Sequence, residues 1–152
     1  WRNLPEIGGE IGILVLAIAL GAVFEAALAG SGIAAEIVGL GLRPATVIAF
    51  IIAGMSVAGL VGIHPIVSAT AVLVVATGLE IELADIFLMQ AVLIGWALGA
   101  MISFSGVSVV TASALFDVSP WRLIFGRNIT FVVVFGSVSA LILGILNWAF
   151  VG

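Results

Sequence analysis

The sequence predicts an all-α integral membrane fold in which transmembrane helices are joined by one re-entrant helical hairpin and one discontinuous helix. Three observations predict it. Of 152 residues, 64% are apolar and 8% charged, whereas a soluble domain carries about 25% charged residues. The apolar residues fall in runs long enough to cross a bilayer, and two of those runs are broken internally by Gly, Pro and Ser. Composition also excludes functions. The basic residues are four arginines against eight acids, which leaves no basic patch for nucleic acid. Without cysteine there are no disulfides, thiolate metal ligands or Cys nucleophiles.

Residues 11–29 form a first span, interrupted only by Glu25. After Gly30-Ser31-Gly32, residues 33–42 are too short to cross and suit an interfacial helix. Pro44 then opens a new helix. Residues 45–78 contain a single ionisable side chain, His64, within the breaker Gly59-Leu60-Val61-Gly62-Ile63-His64-Pro65. The limb after the break, 66–78, spans roughly 20 Å at 1.5 Å per residue, short of the roughly 30 Å hydrocarbon core. Two short limbs around a broken tip predict a hairpin that enters and leaves on one side. Glu80, Glu82 and Asp85 make a solvated acidic turn whose spacing does not match a calcium loop.

Residues 84–116 are expected as a broken helix: a limb over 84–102, with Gly95 and Gly99 spaced for close approach, a polar break from Ser103 to Ser108, and a short limb over 109–116. A last span covers 129–151, with Asn128 at its interface. This path puts Arg2, Arg122 and Arg127 on one side and Arg43 on the other. The positive-inside rule then makes the N-terminus cytoplasmic and the C-terminus external, with the hairpin opening outward.

Unwound backbone within a bilayer offers carbonyl oxygens to Na⁺, and half-helix N-termini offer partial positive charge to an anion. The candidate solute ligands are therefore Gly62, His64, Pro65, Ser105, Gly106 and Ser108. Candidates for cation binding or coupling are Gly59, Ser68, Ser103, Thr111 and Glu25. As the single histidine and an ionisable group among apolar residues, His64 suits a solute ligand or a proton carrier. The competing reading of His64 is a neutral ring capping a broken helix; that of the glycines and serines is tight helix packing. An intramembrane serine protease using Ser105 or Ser108 with His64 ranks lower. There is no Gly-x-Ser-x-Gly elbow and no His-Glu-x-x-His pair, so no enzyme is expected.

The order of elements, with Ala19-Leu20-Gly21-Ala22-Val23-Phe24-Glu25 followed by Gly32-Ile33-Ala34, the stretch 62–75 and the break 103–111, resembles one inverted repeat of the ion transporter superfamily. That group includes divalent-anion/sodium symporters, arsenite permeases and TRAP large permease subunits. Those symporters carry Ser-Asn-Thr at the tip and a Pro- and Asn-containing break; here the tip is Gly-Ile-His-Pro and the break Ser-Phe-Ser-Gly-Val-Ser. The resemblance implies an ion-coupled secondary transporter of a small anionic solute, using Na⁺ or H⁺ and no other cofactor, working by elevator-type alternating access. It makes residues 1–152 a single repeat unit, the C-terminal half of a longer transporter, with the chain beginning at Trp1 as a piece of it. The expected surroundings are a prokaryotic inner or plasma membrane, an N-terminal repeat in the same chain or a separate subunit, and a homodimer. The rival classes are a structural or accessory membrane subunit and a channel component, neither binding a transported solute.

Overall fold

The computed structural model describes residues 4–32, 36–37, 39–78 and 81–151, and all regular structure among them is helical. Helix α1 is Leu4–Ser31, longer than the predicted 11–29 because the polar stretch around Glu6 and Glu10 continues the helix. Of the predicted interfacial segment, the described part is a helical turn in which the Leu40 N–H donates to the Glu36 carbonyl at 3.1 Å. Glu80 lies outside the described residues. Helix α2 is Pro44–Leu60 and α3 is Pro65–Gly78. Helix α4 is Asp85–Ile102 and α5 is Val107–Phe116. The short α6, Pro120–Leu123, leads through a π-helical segment, Ile124–Asn128, into α7, Ile129–Val151. Pro44, Pro65 and Pro120 each take a first helical position, where a missing N–H costs nothing.

Two predicted boundaries are corrected. The second break closes at Gly106 rather than Ser108, because Val107 and Ser108 already belong to α5. The hairpin break does not begin at Gly59: α2 runs through that residue to Leu60, and the turn occupies 61–64. Gly59 is buried, and a Cβ there would stand 2.6 Å from the Gly99 Cα and 2.7 Å from its carbonyl carbon. Its missing side chain thus lets two backbones touch rather than a helix end.

Helix α2 is the centre of the bundle. Ile52 and Met55 face Gly95, and Gly59 faces Gly99, so α2 and α4 run parallel through the predicted glycine pair. Gly136 faces Ile52 and Gly144 faces Ala45, so α7 runs antiparallel to α2. The fully buried Ile48 and Met55 fill the space between these helices, and Ile124 closes the end near the turn. Such backbone proximity multiplies van der Waals contacts, each worth only about 0.1–0.2 kcal/mol. Helix α1 joins through α3, where Gly21 meets the Thr70 methyl.

Among the described residues the most deeply buried polar side chain is Asn147. Asn147 on α7 donates from Nδ2 to the Glu82 carbonyl and accepts the Ala84 N–H on Oδ1, both at 3.0 Å. It ties the end of α7 to the turn that starts α4. Asn147→Leu keeps the volume and strands both backbone groups, at about 1–3 kcal/mol for each one left unpaired. The expected result is a clearly lower unfolding midpoint in a thermal melt; an unchanged midpoint would refute the tie.

The outer surfaces are apolar. Ile18 on α1, Leu115 on α5 and Trp148 on α7 are more than 70% exposed. Two stretches, Asp85–Phe116 and Pro120–Val151, are long and apolar enough to cross a membrane.

Candidate functional site

The turn between α2 and α3 is a closed helix end. Gly62 takes φ +84°, which only glycine adopts without cost. That conformation lets the Gly62 N–H reach the Gly59 carbonyl at 3.0 Å and the Ile63 N–H reach the Ala58 carbonyl at 2.9 Å, the paired bonds of a Schellman end. Two otherwise orphaned carbonyls of α2 are satisfied there.

His64 follows as the residue that caps α3. Its Nδ1 accepts the Ile66 N–H at 3.3 Å, as a capping side chain does for the second helical amide. With Nδ1 as acceptor, the neutral ring carries its proton on Nε2, which is left as a donor. Pro65 occupies the first helical position. The hydroxyls further along fold back on their own helix, Ser68 onto the Pro65 carbonyl at 3.1 Å and Thr70 onto the Ile66 carbonyl at 2.8 Å. Each spends its proton on backbone and keeps lone pairs for another partner.

The second break lies between α4 and α5. Ser103 is extended (φ −74°, ψ 125°), and the Gly106 N–H closes a turn on its carbonyl at 3.1 Å. Ser103 is buried and Ser105 exposed, with their hydroxyl oxygens 3.3 Å apart. Ser108 donates to the Ala100 carbonyl at 3.3 Å, folding the start of α5 against the end of α4. A Cβ on Gly106 would stand 3.0 Å from that same carbonyl oxygen. Phe104 anchors the turn from the other side, with ring centres 4.7 Å from Trp121 and 6.2 Å from Phe125, themselves stacked at 5.0 Å.

The two breaks meet. A Cβ on Gly62 would lie 3.5 Å from the Ser105 Oγ, which puts the turn of the first broken run against the hydroxyl of the second. His64 and Pro65 flank the contact on one chain segment, and Ser103, Gly106 and Ser108 on the other. Thr111 is exposed one turn into α5. Gly59 stays within α2, and Glu25 is exposed on α1, the helix that joins the others through Gly21.

The electrostatics follow from the residue types. No charged residue lies in either break, while α3 and α5 both begin there with the positive end of a helix dipole; the first N–H groups of α3 are already taken, that of Ile66 by His64 Nδ1 and that of Val67 by the His64 carbonyl. Ser68, Thr70 and Ser108 donate to backbone carbonyls and Ser103 and Ser105 share one bond, which leaves one hydroxyl proton of that pair and the imidazole Nε2 as neutral side-chain donors. The set has these few donors, two helix ends and no formal charge, which suits a small anion. Among the described residues no group of three His, Asp or Glu gathers to hold a metal ion, so a cation would take hydroxyl and carbonyl oxygens. Beside the junction, between α2 and α7, a groove of about 320 Å³ is lined by Leu60, Ile102, Ile129 and Gly136. Its one buried hydroxyl, Ser56, is bonded to the Ile52 carbonyl at 2.7 Å.

Sequence reasoning missed Asn147 and the trio of Phe104, Trp121 and Phe125. An Asn inside an apolar run was the available signal for the first; the i, i+4 spacing of Trp121 and Phe125 was a partial signal for the second. Comparison with protein-family models, with curated proteins and with solved structures returned no match.

Proposed function

We propose that the chain is one repeat of an ion-coupled secondary transporter for a small anionic solute, embedded in a membrane and working by alternating access. The observation that supports this most is the approach of Gly62 to the Ser105 hydroxyl. Two interrupted helices that bring their breaks together supply the uncharged ligand set used at the midplane of such transporters. In this reading α2 and α3 form the re-entrant hairpin, and 85–116 is the discontinuous helix. Exposed apolar surface on α1, α5 and α7 faces lipid or a second repeat. The solute lies against Gly62, His64, Pro65, Ser105, Gly106 and Ser108. The coupling Na⁺ or H⁺ uses Ser68, Ser103 and Thr111 or His64. Gly59 drops out of the ligand set because the Gly99 backbone fills its space. The N-terminus is cytoplasmic and the C-terminus external, and an N-terminal repeat completes the site, within a homodimer.

Gradient-driven uptake of small oxyanions into cells or vesicles carrying the whole transporter is the test. Ser105→Ala removes a candidate solute ligand together with the hydrogen-bond partner of the buried Ser103 hydroxyl, and one lost hydrogen bond of about 1.4 kcal/mol corresponds to about tenfold weaker binding. The half-saturating solute concentration should rise by about that factor, while expression is kept and the melting midpoint falls only slightly. Wild-type-like uptake in Ser105→Ala would remove the break from the site. The absence of any gradient-driven uptake in the wild type would favour a structural subunit.

A further inference from the structure

We propose that the end of the bundle remote from the hairpin tip holds the headgroup of a phospholipid bearing both a phosphate and a primary ammonium. A cleft of about 400 Å³ opens there between the start of α2 and the end of α7, lined by Arg43, Glu82, Asn147 and Trp148. Arg43 and Glu82 are both exposed, so one wall presents a guanidinium and another a carboxylate to the same space.

The cleft is built rather than incidental. Gly144 lies so close to α2 that a Cβ on it would stand 2.7 Å from the Ala45 Cβ, which seals the floor. Asn147 takes both hydrogen bonds of its amide to residues 82 and 84 and thereby fixes the backbone from which the Glu82 carboxylate projects. Trp148 stands 75% exposed at the rim, the position in which an indole joins an apolar body to a polar edge. From it the exposed Ile145 and Leu141 continue at helical spacing along α7 as a strip for an acyl chain.

Chemistry selects the ligand. A guanidinium pairs with phosphate through two parallel N–H bonds. A guanidinium alone would take any phosphate-bearing lipid. The facing carboxylate repels further negative charge and accepts hydrogen bonds from –NH₃⁺, which a quaternary ammonium cannot donate. Phosphatidylethanolamine meets both walls; phosphatidylglycerol and phosphatidylcholine each meet one.

This inference rests on the membrane reading above, and the experiment separates the two. Carbonate washing of membranes containing the whole transporter comes first: release of the chain would overturn both readings, and retention is expected. The purified protein is then presented with equal amounts of the three lipids with identical acyl chains, and retained lipid is counted by native mass spectrometry. Phosphatidylethanolamine should be retained at least fivefold over the other two. Glu82→Gln should abolish its advantage over phosphatidylglycerol, and Glu82→Arg should reverse it. Arg43→Gln should weaken retention of all three. Equal retention by the wild type, or unchanged selectivity in the Glu82 variants, would overturn the site. Displacement of the lipid by soluble O-phosphoethanolamine at matched concentration would also overturn it, because the acyl strip would then contribute nothing. Loss of solute uptake in Ser105→Ala does not bear on any of these outcomes.

Discussion

Gly59→Ala is expected to lower the unfolding midpoint sharply, while Gly54→Ala, five residues earlier on α2, leaves it unchanged or raises it. The two positions share a helix and a residue type and differ in what a methyl group would meet. On Gly59 it would stand 2.6, 2.7 and 2.8 Å from the Cα, carbonyl carbon and oxygen of Gly99. These are backbone atoms of a second helix, so relief requires moving α4 and everything packed on it. Overpacking costs about 1–3 kcal/mol where side chains can adjust, and a backbone obstacle puts this case at the upper end. On Gly54 the methyl meets nothing within 4 Å, and replacing glycine by alanine in a helix gains up to about 1 kcal/mol. Each kcal/mol moves the midpoint of a chain this size by about 2–4 °C. Parallel melts in one detergent, scanned at one rate, check the pair. Equal midpoints would mean that the helices do not cross through Gly59 and Gly99.

The same glycine shows where sequence stops. Gly59 and Gly62 are three residues apart in one breaker motif, and nothing local separates their roles. One is helical and pressed on a backbone forty residues later in the chain; the other has φ +84° and ends the helix. Only the partner helix distinguishes them. Where a signal is local, the reading was sharp. The span expected over 129–151 is α7, and the limb expected over 84–102 is α4 with Ala84 as its cap. Proline at a first helical position and long uninterrupted apolar runs act within a few residues, so their effect survives any tertiary arrangement. Asn147 stands out locally as an Asn in an apolar run, but its role was unreadable for the opposite reason, since its partners at 82 and 84 lie more than sixty positions away. The polar residues of the two breaks could be named from composition, but the contact between Gly62 and Ser105 depends on α2 and α4 running parallel, which no local pattern encodes.

His64→Asn is expected to keep the fold and lose transport, and the contrast with His64→Ala gives the substitution its force. The imidazole does two separable things. Nδ1 caps α3 by accepting the Ile66 N–H, while the Nε2–H remains as a donor. Asparagine is among the strongest capping residues, and its Oδ1 accepts the same amide. It has no donor at the reach of Nε2. Alanine removes both roles, and loss of a cap costs about 0.5–2 kcal/mol. A melt should therefore place His64→Asn beside the wild type and His64→Ala below it, whereas uptake should fall at least about tenfold in both, as expected when a group at the site is removed rather than displaced. Wild-type uptake in His64→Asn would reduce His64 to a helix cap and leave solute binding to the hydroxyls and helix ends. Normal melting of His64→Ala would instead remove the cap. The two measurements answer independently, so each role of the residue stands or falls on its own result.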